Sequence, residues 1–214
     1  MRALLALLAL LAYPIVSANL TFAQPCGDLL LTADGTWEFG YSWGGGDAPP
    51  PEYGAFAECY SGEGEVCGMA LWVTHFEFGE QAPFDAFVWS DDGEGAPGSV
   101  LCASLGHNAS PVPTWPNFER VDVPIEGCCV SGTWWIGFRG TWPGAPGMEI
   151  LADIDGPVRG CPRTKIAPGL PYPEGWQDVS LIYGHDTKAL AIGALFRSCA
   201  PTGTVTTTWG RVKS

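Results

Sequence analysis

The chain has 214 residues, 46% of them hydrophobic, with 29 Gly, 19 Pro, 8 Cys and 10 Trp and a formal net charge of −13. That length supports one domain with a substantial core, the Gly and Pro leave long helices little room, and so acidic a surface suits neither nucleic acid nor anionic membrane. From Pro25 to Glu119 there are 15 Asp and Glu and no Lys or Arg, charge that serves solubility or divalent cations.

Taken in chain order, Met1 and Arg2 lead into an apolar run over 3–16, and the small residues Ser17, Ala18 and Ala23 follow. This is the pattern of a signal peptide over residues 1–23. The run is shorter than the roughly 20 residues that span a bilayer, and no second stretch approaches that length. The sequence therefore predicts a secreted or cell-surface protein with no transmembrane segment, its domain occupying 24–199.

Within that domain, aromatic and β-branched runs over 37–43, 66–78, 84–90, 99–104, 118–125, 133–139, 148–154 and 190–197 read as strands, separated by Gly, Pro and Asp. Val121, Val123 and Ile125 alternate with Asp122 and Pro124, which gives a strand with one wet face. The segments 84–89 and 134–138 carry bulk on both sides and belong in central positions. About eight to ten such strands make an all-β, two-sheet antiparallel sandwich, jelly-roll-like and stapled by disulfides. Residues 200–214 read as a Thr-rich linker and a short basic, apolar tail.

All eight cysteines, Cys26, Cys59, Cys67, Cys102, Cys128, Cys129, Cys161 and Cys199, fall in the domain. An even number in an exported chain favours disulfides, and the absence of any CxxC spacing argues against thiolate zinc. Cys59 and Cys67 flank the turn-like stretch 61–65, so they are expected to staple a hairpin. Adjacent Cys128 and Cys129 point to opposite faces of a strand and need different partners, drawn from Cys102, Cys161, Cys26 and Cys199.

Candidate sites are sparse. Asp91, Asp92 and Glu94, interleaved with Gly, offer oxygens to calcium, although the same residues also make an ordinary acidic hairpin turn. Asp153 and Asp155 alternate on the predicted strand at 148–154, about 6.5 to 7 Å apart on one face, a separation that suits an inverting carboxylate pair. That segment is similar in part to the catalytic strand of laminarinase-like jelly-roll glycosidases. Leu151 stands where their central Asp belongs and no second Glu follows, so the acids read as strand surface. His75, His107 and His185 are the only histidines, and His75 is expected inside an apolar strand as a satisfied core residue.

The tryptophans are the best functional signal. Trp115, Trp142 and Trp176 sit beside Pro or Gly, where loop indoles make a platform for pyranose rings, with Asn117, Gln177 and Asp178 near enough in sequence to bind hydroxyls. Taken together, Asp34 to Glu38, Phe87 to Gly98, Gly132 to Phe138 and Tyr172 to Asp178 resemble a group of exported bacterial jelly-roll-like β-sandwich domains, from proteins that often carry C-terminal sorting tails. Trp209-Gly210-Arg211-Val212-Lys213 looks like the start of such a tail. The resemblance implies a fold and an exported location, and carries over no agreed activity and no catalytic residue; no cofactor is expected other than calcium at the acidic turn. The expected function is a non-catalytic extracellular module that binds glycan or another extracellular protein. The alternatives are a self-associating surface-layer or fibre subunit and a polysaccharide hydrolase.

Overall fold

The computed structural model describes residues 26–43, 55–76, 82–140, 147–166, 168 and 171–199. The signal-peptide and tail segments and Trp142 lie outside these residues. Thirteen strands and one helical turn follow in the order β1 (Asp28–Leu30), β2 (Phe39–Tyr41), β3 (Ala55–Ser61), β4 (Gly64–Thr74), β5 (Pro83–Asp91), β6 (Pro97–Asn108), β7 (Glu119–Val130), β8 (Thr133–Gly140), β9 (Glu149–Asp153), β10 (Arg163–Ile166), β11 (Gly175–Asp178), α1 (Val179–Tyr183), β12 (Ala189–Leu190) and β13 (Ile192–Arg197).

They form two antiparallel sheets packed as a sandwich. One has six strands in the order β11-β10-β3-β8-β5-β6; the other has seven, along β1-β13-β4-β9-β12, with β2 on β9 and β7 on β4. The chain repeatedly changes layer, as at β3 to β4 and β7 to β8, so each sheet alternates an inner, apolar face with an outer one. The inner faces interlock Phe56, Phe84, Trp134, Ile136 and Phe138 of the six-stranded sheet with Val66, Met69, Leu71, Ile150 and Ile192 of the other, all at most 1% exposed.

The corner between β3 and β4 corrects the expected hairpin. Gly62 turns the chain with φ 144°, and the two strands join different sheets, so Cys59 and Cys67 belong to opposite layers. Cys59 packs with Trp135 and Cys161 on the outer face of its sheet, and Cys67, next to inward-facing Val66, points to the outer face of the other, so the two thiols look away from each other. Cys59 instead bonds Cys161, Cys67 bonds Cys26, and Cys102 bonds Cys128. Cys128 is buried and Cys129 exposed on β7, so the two do face opposite ways. Cys129 and Cys199 are the two cysteines not bonded in the structure.

Candidate functional site

The outer face of the six-stranded sheet carries small residues, Ala55, Ala57 and Gly137, on its two central strands β3 and β8, with large side chains around them. Cross-strand register places Asp85, Arg139, Ala55, Lys165 and Trp176 in one row, and Phe87, Gly137, Ala57, Arg163 and Asp178 in the next. A third row sets Trp89 beside Trp135 and Cys59. Ala55, Ala57 and Gly137 thus form a floor, over which the long side chains lean from both flanks. Trp89 and Trp176 meet edge to face with centroids 5.4 Å apart, and Phe87 stacks on Trp89 at 5.3 Å.

Gly137 is required by backbone proximity, because a Cβ there would run into the Phe56 carbonyl of the neighbouring strand. Beside the rings lies a cavity of about 140 Å³ lined by Ala55, Phe87, Trp89, Arg139, Lys165 and Trp176, among others. On the far side of Trp176 a second, more open depression of about 370 Å³ is bounded by Asp92, Glu94, Arg163, Gln177, Asp178 and Leu181. Pockets that engulf a small molecule run to ~300–1,000 Å³, so the enclosed part takes a portion of a ligand. The two together suit an extended one.

Charge is arranged with equal economy. Arg163 lies over the Trp135 ring at 5.7 Å, donates to the Gly95 carbonyl and pairs with Asp178 at 3.1 Å. It therefore pins the β5–β6 hairpin against β11. Arg139 lies over Phe87 and pairs with Asp85 at 3.3 Å. Among the described residues Lys165 is the one Lys or Arg without a carboxylate partner, and it lines the enclosed cavity.

Two separate sequence signals converge here. Asp92 and Glu94 of the acidic turn face the same depression as Trp176, Gln177 and Asp178. Trp176 lies on β11 and not in a loop, half-buried, with one face against Trp89. Asp178 is largely structural, capping α1 through the Ser180 N–H. Asp91 accepts from Gly93 N and from the Trp135 indole, and Asp92 from Glu94 N and Ala96 N. Two of the three proposed calcium ligands are thereby engaged by N–H donors, as turn chemistry demands.

Trp115 and Asn117 sit elsewhere, in the connection between β6 and β7, and line neither depression. Trp115 is half-buried against Phe76, ring to ring at 5.9 Å, and Asn117 is held to the Thr114 carbonyl. The signal that would have found Trp89, Phe87, Arg139 and Lys165 is the pairing of strands distant in sequence, which no local pattern carries.

The carboxylates proposed for hydrolysis also part company. Asp153 ends β9 fully buried and accepts from Asp34 N, Asp155 N and Gly156 N. Asp155 lies in the bend beyond, exposed, so the two do not share a strand face. Oxygens of Asp34, Asp153 and Asp155 come within 4.8 Å of one another, the best cation cradle among the described residues apart from Glu58 with Cys59 and Cys161, whose sulfurs are bonded to each other. The three N–H donors already satisfy the Asp153 carboxylate.

Serine chemistry fares no better. Gly40-Tyr41-Ser42-Trp43-Gly44 has the G-x-S-x-G spacing of a nucleophile elbow, so an expectation that the chain lacks that pattern is wrong at the level of sequence. An elbow holds its Ser in a strained strand-to-helix turn. No described non-glycine residue has positive φ, and no described histidine nitrogen bonds Ser42. His75 is only part-buried, just past β4, with Nε2 on Thr114 at 3.2 Å and Nδ1 without a partner, a correction to its expected place inside the strand.

Beneath the outer face, Glu58 projects from β3 into the interior at 0% exposure. It accepts from the backbone N–H groups of Cys161 at 2.6 Å, Leu190 at 2.9 Å and Cys59 at 3.2 Å. Desolvation nonetheless dominates these bonds and raises its carboxyl to about 7.

No family model matches the chain, and no curated protein or solved structure is detectably similar to it. Among the described residues no helix is long and apolar enough to cross a membrane.

Proposed function

We propose that this protein is a non-catalytic extracellular module that holds a saccharide chain along the outer face of its six-stranded sheet. The observation that carries this reading is Trp176, whose indole separates two adjoining depressions. Sugar rings present flat C–H faces to indoles and a rim of hydroxyls to polar neighbours. Here Phe87, Trp89 and Trp176 supply faces, while Lys165, Arg139, Gln177 and Glu94 supply donors and acceptors. The unpaired ammonium of Lys165, on a chain of net charge −13, favours a sugar that carries an occasional carboxylate.

Export is part of the same proposal. It rests on residues 1–23 and is supported by three disulfides, which persist in oxidising compartments. The likeness to exported bacterial sandwich domains with sorting tails stays within this proposal too.

Affinity electrophoresis through gels containing polygalacturonate, its methyl ester or dextran tests the binding. Retardation of the parent chain, lost in Trp176→Ala, is the expected result. Lys165→Gln should erase any preference for the charged polymer over its ester. Equal mobility of the parent chain with and without every polymer would reject the reading.

One observation favours a second reading, self-association. The edge strand β6 has no charged residue in its 12 positions and exposes Val100, Leu101 and Leu105 at 54%, 46% and 65%. An edge this long and neutral invites another strand. Concentration-dependent light scattering that disappears in Leu105→Lys would favour it over the saccharide site.

A further inference from the structure

Two thiols stand side by side on the outer face of the seven-stranded sheet. Cys129 on β7 lies opposite Glu65 of β4, and Glu65 lies opposite Arg197 of β13 on its other side. Cys199 follows two residues later, just past the end of β13. Strands two apart in a sheet stand roughly 9.5 Å apart, beyond disulfide reach. The chain leaves β13 after Arg197, however, and brings Cys199 back to the neighbourhood of Cys129, close enough for the two thiols to interact. They are the only unbridged cysteines among the described residues, and exposed Ser198 leaves the backbone between Arg197 and Cys199 free to adjust.

We propose that Cys129 and Cys199 are the two halves of a fourth, solvent-accessible disulfide that fastens the end of β13 to β7 across β4. Closure requires an electron acceptor, here a disulfide-bearing oxidant such as oxidised glutathione or a dithiol oxidoreductase in its disulfide form. The exposed Cys129, as thiolate, attacks one sulfur of that donor and expels the other as a thiolate. Cys199 then loses its proton to solvent and attacks the Cys129 sulfur of the mixed disulfide. The donor's remaining thiolate leaves, so the protein loses two protons and two electrons and the donor becomes two thiols.

The surroundings decide which of the two thiols attacks. The thiol of Cys199 is pushed up to about 11, first by its interaction with Cys129, then by burial and by the nearby carboxylates of Glu65 and Glu63. Little thiolate exists at neutral pH, so Cys199 suits the resolving position rather than the attacking one. Once closed, the bridge carries load. Tension applied to the chain beyond Cys199 passes to β7 and β4 instead of peeling β13 from its neighbour.

The experiment is thiol counting on the full chain before and after incubation with oxidised glutathione at pH 8. Denaturation with iodoacetamide, then digestion without reductant, locates the bonds. The expected product has no alkylated cysteine and a peptide pair joined through Cys129 and Cys199. Electron-transfer fragmentation between positions 128 and 129 distinguishes the two adjacent sulfurs. Two alkylated cysteines persisting at 129 and 199, or Cys129 found bonded elsewhere, would overturn the proposal. Cys199→Ser supplies the control: it should leave Cys129 able to form only a mixed disulfide with glutathione, while a new internal bond to Cys129 counts against the assignment.

Discussion

At the scale of single residues, Glu58 has the largest consequence for stability. Its folded value of about 7 stands above the ordinary 4.5 because desolvation outweighs three N–H donors. A carboxyl raised on folding favours the protonated state, so the folded chain binds more protons than the unfolded one between those values. Stability is therefore greatest below pH 4.5 as far as this group is concerned, and it declines as pH rises through about 7. The loss amounts to roughly 3 kcal/mol. Denaturant titrations of the parent and Glu58→Gln at pH 5 and pH 8 check this, the variant losing most of the difference. The variant should be weaker than the parent at pH 5 by about 1–3 kcal/mol, because its amide group faces the Leu190 N–H and leaves it without an acceptor. Gly160 bears on the same group: a Cβ there would press on Glu58 Oε1 at 2.6 Å, so Gly160→Ala should disturb the carboxylate's bonds to Cys59 and Cys161.

At the scale of elements, β3 and β8 approach too closely at Gly137 for a side chain. Gly137→Ala should cost about 1–3 kcal/mol by overpacking, read as a lower melting temperature with an unchanged far-ultraviolet dichroism shape. Arg163 joins three elements, and Arg163→Ala should loosen the β5–β6 hairpin alone. Amide exchange at residues 92–96 would accelerate while the core strands keep their protection, the loss of about 1–3 kcal/mol being confined to the opening of the hairpin. Most strands could be read directly, because runs such as 84–90 and 133–139 concentrate aromatic and β-branched residues between Gly and Pro. β1, β3, β10 and β11 escaped that reading for local reasons. Asp28–Leu30 is only three residues long, Ala55–Ser61 is rich in small residues and broken by Glu58, and Arg163–Ile166 and Gly175–Asp178 are half polar. The same gap concealed the site. Trp176 and Gln177 were legible from their neighbours, whereas Lys165, Arg139 and the Ala and Gly floor become a surface only through pairing between β3, β8, β10 and β11.

At the scale of the molecule, three covalent links tie distant parts of the chain, with sequence separations of 102, 41 and 26 residues for Cys59–Cys161, Cys26–Cys67 and Cys102–Cys128. If restriction of the unfolded chain dominates, removing them by paired Cys→Ala changes should destabilise by about 4.7, 3.9 and 3.5 kcal/mol respectively. Urea midpoints of the three double variants test that order, and a reversed order would show that local packing around Cys102 and Cys128 outweighs chain entropy. Assembly has its own timetable. β1 lies against β13, register Asp28 to Phe196, so the first described strand has no neighbour until the last has been made. At the ~5–20 residues per second of translation, that wait is on the order of ten to thirty seconds. Throughout it Leu29 and the edge of β4 that β13 will cover stay open to pairing with a stranger's strand.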